Sequence, residues 1–199
     1  MTNRTNQIAK TLADFHKVVA EFPEFRYLGD PILRAKTHGV STKEGKEIGC
    51  SLGEILIRYR QLVGYGRGLA APQIGIDKAV FVTYLDNEIQ IYINPKITTK
   101  SKKCNYYREL CLSSGIIWGE VKRPAIITMD WTDALGKHQV KETDGVLARL
   151  WQHEQRHLVG EINVDIALPG SLEIITSDPL KETLRDQPLK PLFTDILPL

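Results

Sequence analysis

The feature that most constrains this chain is the pattern HEQRH at residues 153–157, which places two histidines one helical turn apart. In a helix, side chains at positions i and i+4 lie one above the other, so both imidazoles can bind the same metal ion. Glu154 then lies beside that ion, where it can accept a proton from a water molecule. The pattern predicts a helix over residues 143–159 that ends at Gly160, and it indicates a metal-dependent hydrolase.

Around this pattern the predicted helix is amphipathic. Val146 and Leu150 recur at helical spacing with His153 and His157, so the four side chains fall in one narrow stripe. We expect this stripe to face the core, where buried metal ligands belong. The alternative interpretation is a pair of ordinary core histidines that bind no metal.

A metal site of this kind needs a third protein ligand. The HExxHxxGxxH pattern fails, because Asn163 stands where its third histidine would be, and Glu161 lies just past the predicted end of the helix. Cys111 is the better candidate, since a thiolate binds zinc or iron strongly and two histidines with one cysteine leave a position for water. The alternative interpretation of a lone cysteine is a small buried apolar residue.

A glycine-rich segment, GRGLAAPQIG at residues 66–75, is the third feature that indicates chemistry. Gly66 and Gly68 allow the backbone to approach a bound ligand closely. The side-chain amide of Gln73 can donate a hydrogen bond to a developing oxyanion. The segment is otherwise a turn between a helix and a strand, and it lacks the GxxxxGK[ST] spacing of a phosphate-binding loop.

The composition is that of an ordinary globular protein, with 42% hydrophobic and 25% charged residues. Lysine and arginine number 26 against 24 acidic residues, and this balance argues against a dedicated nucleic-acid or membrane-surface binder. Three cysteines without a CxxC pair favour a reducing compartment over a disulfide framework. Because the sequence has neither an apolar run of about 18 residues nor a signal-peptide core, we expect a cytoplasmic protein.

Periodicity predicts further helices over residues 7–20 and 51–63 and strands over residues 79–85, 89–93 and 125–131. Asp86 and Asn87 predict a hairpin turn, and Asn94-Pro95 predicts a break in strand pairing. Grouped strands with one helix packed among them are typical of the α+β class. We expect one domain over residues 1–199, with a helical extension at residues 1–25 and a proline-containing tail at residues 169–199.

Taken together, these segments resemble the three ordered motifs of peptide deformylases: GRGLAAPQIG at residues 66–75, ELCLS at residues 109–113 and QHEQRHLVG at residues 152–160. The stretches DPILR at residues 30–34 and GEVKRP at residues 119–124 are similar to two further segments of that family. The resemblance runs over about residues 26–165. Three motifs in the same order and spacing are far more specific than any one of them.

The resemblance implies an α+β fold with antiparallel β-sheets packed around a central helix that carries HExxH. It implies that Cys111, His153 and His157 bind one divalent metal ion, most commonly Fe2+, with Zn2+, Ni2+ or Co2+ as other occupants. Membership would make the protein a hydrolase that removes the formyl group from the initiator formyl-methionine of nascent polypeptides.

The resemblance also implies roles for other residues. Glu154 would take the proton from the attacking water and pass it to the leaving amine. Gln73 and the backbone amide of Leu112 would stabilise the oxyanion. We expect Val146 and Leu150 to form walls for the methionine side chain.

Two residues depart from the family's usual pattern. Leu110 stands where the second motif usually has glycine; if that position needs a positive φ or close passage of the substrate backbone, leucine there is strained and narrows the cleft. Arg156 stands where the third motif usually has aspartate, so the charge beside a ligand is reversed. The possible new partners of Arg156 are Glu109 and Glu161.

The expected partners are formyl-methionyl nascent peptides, with no membrane and no direct nucleic-acid binding. Residues 181–199 carry three basic and three acidic side chains, so a transient ribosome contact would not rest on a strongly basic tail. Two alternatives stay open: a related metallohydrolase that acts on another N-acyl or peptide substrate, and a non-catalytic binding protein derived from a deformylase.

Overall fold

Three helices and eight strands form the part of the chain that the computed structural model describes, residues 3–175. The helices are α1 (Asn3–Glu21), α2 (Thr42–Val63) and α3 (Gly145–His157). The strands are β1 (Gly68–Ala70), β2 (Val80–Leu85), β3 (Glu88–Lys100), β4 (Cys104–Leu110), β5 (Ile117–Pro124), β6 (Ile126–Thr132), β7 (His138–Asp144) and β8 (Glu173–Ile174). Most of the predicted tail, residues 176–199, lies outside this part. No helix within it is long and apolar enough to cross a membrane.

The strands form two antiparallel sheets. Five strands pair in the order β1-β2-β3-β6-β7, and three pair in the order β4-β5-β8. Helix α3 packs against the larger sheet, where Trp151 joins Phe81, Tyr92 and Met129 in one buried cluster. The predicted α+β class, with antiparallel sheets around the motif helix, is confirmed.

Helix α2 begins at Thr42, so the predicted start at residue 51 is wrong. Ser41 caps it by accepting a hydrogen bond from the backbone amide of Glu44. Three glycines on one face let the helix approach strand β3: Gly45, Gly49 and Gly53 lie against Ile93, Ile91 and Ile89. A glycine repeat lowers helix propensity locally, but the close packing that it allows outweighs that cost.

The predicted hairpin turn at Asp86-Asn87 is confirmed, and both residues take the left-handed backbone conformation that a tight turn requires. The predicted break in pairing at Asn94-Pro95 is confirmed, because neither residue has a register partner on β2 or β6, although β3 itself continues to Lys100. The register shifts between Ile93 and Lys96, and this bulge accommodates the proline. Asn94 is tied to Val40 by two hydrogen bonds, which hold the bulge in place.

Helix α3 is shorter than the predicted span of residues 143–159, because residues 143 and 144 belong to β7. Gly160, the predicted end of the helix, has a left-handed backbone conformation with φ of 81°. A side chain there would collide with the backbone oxygen of Arg34, so only glycine fits. Five strands are absent from the prediction, namely β1, β4, β5, β7 and β8, and β4 is the strand that leads into Cys111.

Candidate metal centre and active site

Three side chains from two parts of the chain meet beside a cleft, which Cys111 and His153 line. Cys111 follows strand β4, while His153 and His157 lie one turn apart on α3. One potential ligand atom from each lies within 4.8 Å of the others. The Cys111 sulfur is 3.4 Å from Nε2 of His157, and the two imidazole rings are 5.2 Å apart between centroids.

This donor set fits a divalent transition metal. Zinc–sulfur and zinc–nitrogen bonds of ordinary length at a tetrahedral angle separate the two donor atoms by about 3.6 Å. The observed 3.4 Å between the Cys111 sulfur and Nε2 of His157 is close to that separation. Burial lowers the pKa of His157 well below its usual range, so its ring is neutral and a lone pair is available to a metal.

Glu109 lies behind His153 and fixes its orientation. Its Oε2 is 2.9 Å from Nδ1 of His153, which leaves Nε2 of that ring available to a metal ion. Burial by itself would lower the pKa of His153. Hydrogen bonds to Cys111 and Glu109 outweigh this effect, and the pKa is raised to about 10. The same negative groups that favour a proton on this imidazole would favour a metal cation in its place.

Two arginines hold Glu109 itself. Arg123 donates two hydrogen bonds to its carboxylate, at 2.6 and 2.7 Å, and Arg149 donates one at 2.7 Å. Burial raises the pKa of Glu109, but the charge and hydrogen bonds of Arg123 hold it well below the usual range. Glu109 is therefore a buried carboxylate anion with a partner on both oxygens.

Glu154 follows His153 on α3 and is buried, with 3% of its surface exposed. One of its oxygens, Oε2, has no hydrogen-bond partner among the described residues. Burial raises its pKa to about 7, which is suitable for accepting and returning a proton near neutral pH. Gly68 on β1 makes room for it, since a Cβ atom there would lie 2.2 Å from Oε1 of Glu154.

Gln73, in the glycine-rich segment at residues 66–75, lies beside the candidate metal ligand Cys111. Its Oε1 accepts a hydrogen bond from the backbone amide of Ala70, which fixes which end of the amide faces the cleft. Its Nε2 is 3.2 Å from the Ser113 hydroxyl and 3.5 Å from the Cys111 sulfur. The side chain is 2% exposed and presents its donor beside the candidate ligands.

The cleft above these residues has a volume of about 180 Å³. Leu112 lines it, and so do all five residues predicted to contact substrate: Gly66, Gly68, Leu110, Val146 and Leu150. The predicted orientation of the α3 stripe needs correction, because Val146 is 42% exposed and faces the cleft. Ala148 and Trp151 contact the hydrophobic core instead.

Comparison with known proteins assigns this arrangement to a family. The model of the polypeptide deformylase family matches residues 23–170. A peptide deformylase of Prochlorococcus marinus (strain MIT 9312) is 34% identical over 197 residues, which cover 92% of this chain and 93% of that protein.

The chain belongs to the peptide deformylase family. Among solved structures, the deformylase of Thermotoga maritima has a TM-score of 0.66 at 32% identity, over 73% of this chain and 97% of that one. The Synechococcus elongatus deformylase in complex with actinonin has a TM-score of 0.63 at 31% identity, over 84% and 90%.

Deformylases are metal-dependent hydrolases, and peptide deformylase activity is the function that these findings support for this chain. The Cys111, His153 and His157 group is the one among the described residues that could hold the metal. Nothing in the comparisons favours a different acyl substrate or a non-catalytic role. Helix α1 lies before the region that matches the deformylase model.

The two departures from the usual deformylase motifs have local explanations. Leu110 is an extended residue of β4 that pairs with Trp118, so its backbone needs no conformation that favours glycine. Arg156 donates a hydrogen bond to Glu161 at 2.7 Å, which identifies its partner among the two candidates. Glu109, the other candidate, is occupied by two different arginines.

Several residues of this deformylase site are missing from the sequence prediction. Arg123 and Arg149 are ordinary charged residues in the sequence, and only tertiary contact joins them to Glu109. Asn163, rejected above as a ligand, is buried and donates a hydrogen bond to the backbone oxygen of Glu109 at 3.0 Å. The available signal was that Glu109 is the first residue of the second motif, ELCLS.

Proposed function

We propose that this chain removes the formyl group from the initiator formyl-methionine of nascent polypeptides, with a divalent metal ion held by Cys111, His153 and His157. The observation that carries this proposal is the meeting of these three side chains at a cleft that Cys111, His153, Glu154 and Gln73 line together. When bound, the metal would supply Lewis-acid polarisation of the formyl group and lower the pKa of a water molecule.

Glu154 moves the proton in this proposal. Its carboxylate accepts a proton from the attacking water and delivers it to the nitrogen of the leaving amine. The raised pKa supports both halves of that transfer, because a group that titrates near neutral pH can accept and release a proton at similar cost. Gly68 leaves the space that this carboxylate occupies, because a side chain there would displace it.

Gln73 and the backbone amide of Leu112 stabilise the negative charge that develops on the formyl oxygen. The contacts of Gln73 with Ala70 and Ser113 hold its amide in place before substrate binds. Such preorganised donors contribute because they need no rearrangement during the reaction.

The methionine side chain is bound on the apolar part of the cleft. Val146 and Leu150 of α3 form one wall, and Leu110 of β4 contributes to the other. The glycines at 66 and 68 let the substrate backbone lie close to β1. Methionine suits this site, since its flexible thioether adapts to an irregular apolar surface.

We propose Fe2+ as the native metal, with Zn2+, Ni2+ and Co2+ able to bind the same residues. One thiolate and two imidazoles are donors that all four ions accept, so availability and redox conditions decide among them. Because the proposed substrates are nascent polypeptides, we propose that the enzyme acts in the cytoplasm in transient contact with ribosomes. Metal analysis of protein purified anaerobically from its natural host, together with cell fractionation, tests both points.

The activity is tested by formate release from formyl-Met-Ala-Ser. Protein purified without oxygen is stripped of metal and then loaded with Fe2+, Ni2+ or Zn2+. We expect formate from the loaded protein, none from the stripped protein, and no acetate from acetyl-Met-Ala-Ser. Absence of formate from folded protein with one metal per chain would overturn the proposal, and release of acetate instead would point to a different acyl substrate.

A further inference from the structure

The mouth of the cleft is basic. Three arginines line it near the surface, namely Arg60, Arg67 and Arg108. The acidic residues in the lining are Glu109 and Glu154, and both are buried at the floor, where the metal site uses them. The cleft therefore presents positive charge to whatever extends outward from the reacting group.

Two of these arginines have no acidic partner among the residues that the structure describes. Arg108 forms an ion pair with Glu173 at 3.0 Å. Arg60 lies over the ring of Tyr84 at 4.1 Å from its centroid and donates a hydrogen bond to the backbone oxygen of Gly66. Within residues 3–175, neither Arg60 nor Arg67 forms an ion pair. Their charge at the mouth is thus not neutralised by any acidic side chain of this described part.

The direction in which a substrate leaves the cleft follows from strand β1. Gly68 lies against Glu154, at the reacting end. Leu69 and Ala70 continue into the core and are fully buried, whereas Arg67 is partly exposed on the other side of Gly68. A peptide whose first residue lies beside Glu154 must therefore pass Arg67 as it leaves the cleft.

The walls of the cleft favour an extended substrate. Strand β1 is the edge of the larger sheet, and β4 is the edge of the smaller one. Both line the same cleft, through residues 66–69 and 107–110. An extended peptide can pair its backbone with such an edge, which brings side chains close to the strand's own side chains.

We infer that this cleft prefers formyl-methionyl peptides with aspartate or glutamate directly after methionine, and that Arg67 is the main residue that recognises them. This inference rests on the proposed deformylase activity and adds a substrate class to it. A side-chain carboxylate at that position can meet the guanidinium of Arg67, with Arg60 adding to the positive field. A lysine at the same position is repelled.

The test compares three C-terminally amidated peptides, formyl-Met-Glu-Ser, formyl-Met-Gln-Ser and formyl-Met-Lys-Ser, so that no terminal carboxylate contributes. At low ionic strength we expect kcat/KM to fall in that order, by about three- to tenfold between the first and last, mostly through KM. The difference shrinks as salt is added, because the mouth is exposed to solvent.

Variants identify the residue responsible. Arg67→Gln should bring the ratio between the glutamate and lysine peptides close to one, and Arg67→Lys should keep part of it. Lys141→Gln on β7 removes the same charge outside the cleft lining and should leave the ratio unchanged. Metal content and thermal unfolding show that each variant is folded and loaded.

The possible outcomes separate the two proposals. Equal turnover of all three peptides by the wild-type enzyme would overturn the charge preference and leave the deformylase activity standing. A preference that survives in Arg67→Gln would overturn the role of Arg67. Failure to release formate from every peptide would count against the deformylase activity itself.

Discussion

The floor and the mouth of the cleft differ in how their charged groups are satisfied. At the floor, Glu109 is buried and paired with Arg123, Arg149 and His153. At the mouth, Arg67 is partly exposed and has no ion-pair partner among the described residues, and Val146 is 42% exposed. The floor is built to hold one geometry, whereas the mouth leaves charge and apolar surface available to a substrate.

This difference has an energetic basis. A buried charge costs several kcal/mol unless it is paired and hydrogen-bonded, so the residues around Glu109 must form a complete set. Exposed charges at the mouth are solvated and need no such set. Changes at the floor should therefore have large effects on reaction and metal binding, and changes at the mouth should have small ones.

The largest expected effect comes from Glu154→Gln. The amide cannot accept the proton, so kcat should fall by about two to four orders of magnitude, while metal content stays at one ion per chain. Formate release and metal analysis on the same sample measure this. Glu161→Gln, which changes a half-exposed carboxylate of the pair with Arg156, is the matched control and should retain activity. An active Glu154→Gln enzyme would remove the proposed base.

The next largest effect is expected from Gly68→Ala. The added Cβ would lie 2.2 Å from the Glu154 carboxylate, so the base must move. A displacement of about 1 Å at a reacting group can cost about a hundredfold in rate, and we expect kcat to fall to that extent. Gly39→Ala has only an ordinary contact, at 3.6 Å, and should be nearly silent. Unchanged kcat in Gly68→Ala would show that Glu154 is not confined as described.

Glu109→Gln tests the floor through stability and metal affinity. Removing the charge leaves Arg123 and Arg149 buried without their anion, which should destabilise the fold by about 3–5 kcal/mol. The loss of support for His153 should weaken metal binding about 10- to 100-fold. Chemical denaturation and metal titration measure the two effects separately. Glu173→Gln, which breaks a more exposed pair with Arg108, should cost far less.

The smallest effect is expected from Arg156→Ala. Its side chain and that of Glu161 are 36% and 37% exposed, and pairs of this kind contribute at most about 1 kcal/mol. The free energy of unfolding should therefore fall by less than that, and kcat/KM should stay within about twofold of the wild type. A large loss of activity would mean that the reversed charge beside His157 has a role in the reaction.

The sequence predicts the candidate metal ligands and Glu154, but it does not predict the contacts that hold Glu109 behind them. HExxH and its spacing place His153, Glu154 and His157 on one helix, because helical geometry depends only on local sequence. The pairing of Glu109 with Arg123 and Arg149 joins residues 14 and 40 positions apart, and no local pattern reveals it.

The fold shows the same limit. The Asp86-Asn87 hairpin was predictable from its turn residues. The start of α2 was not, because Gly45 and Gly49 disfavour a helix by about 1 kcal/mol each in isolation. They are helical here because isoleucines of β3 pack against them, and that contact exists only in the folded protein.

The most direct test of the account is X-ray absorption on the metal-loaded protein, with Fe2+ or Zn2+ at one ion per chain. The three proposed ligands predict a shell with one sulfur and two imidazole nitrogens, and the sulfur should disappear in Cys111→Ser. A shell of nitrogen and oxygen alone in the wild-type protein, or a sulfur signal that persists in Cys111→Ser, would contradict the metal site on which the proposed activity rests.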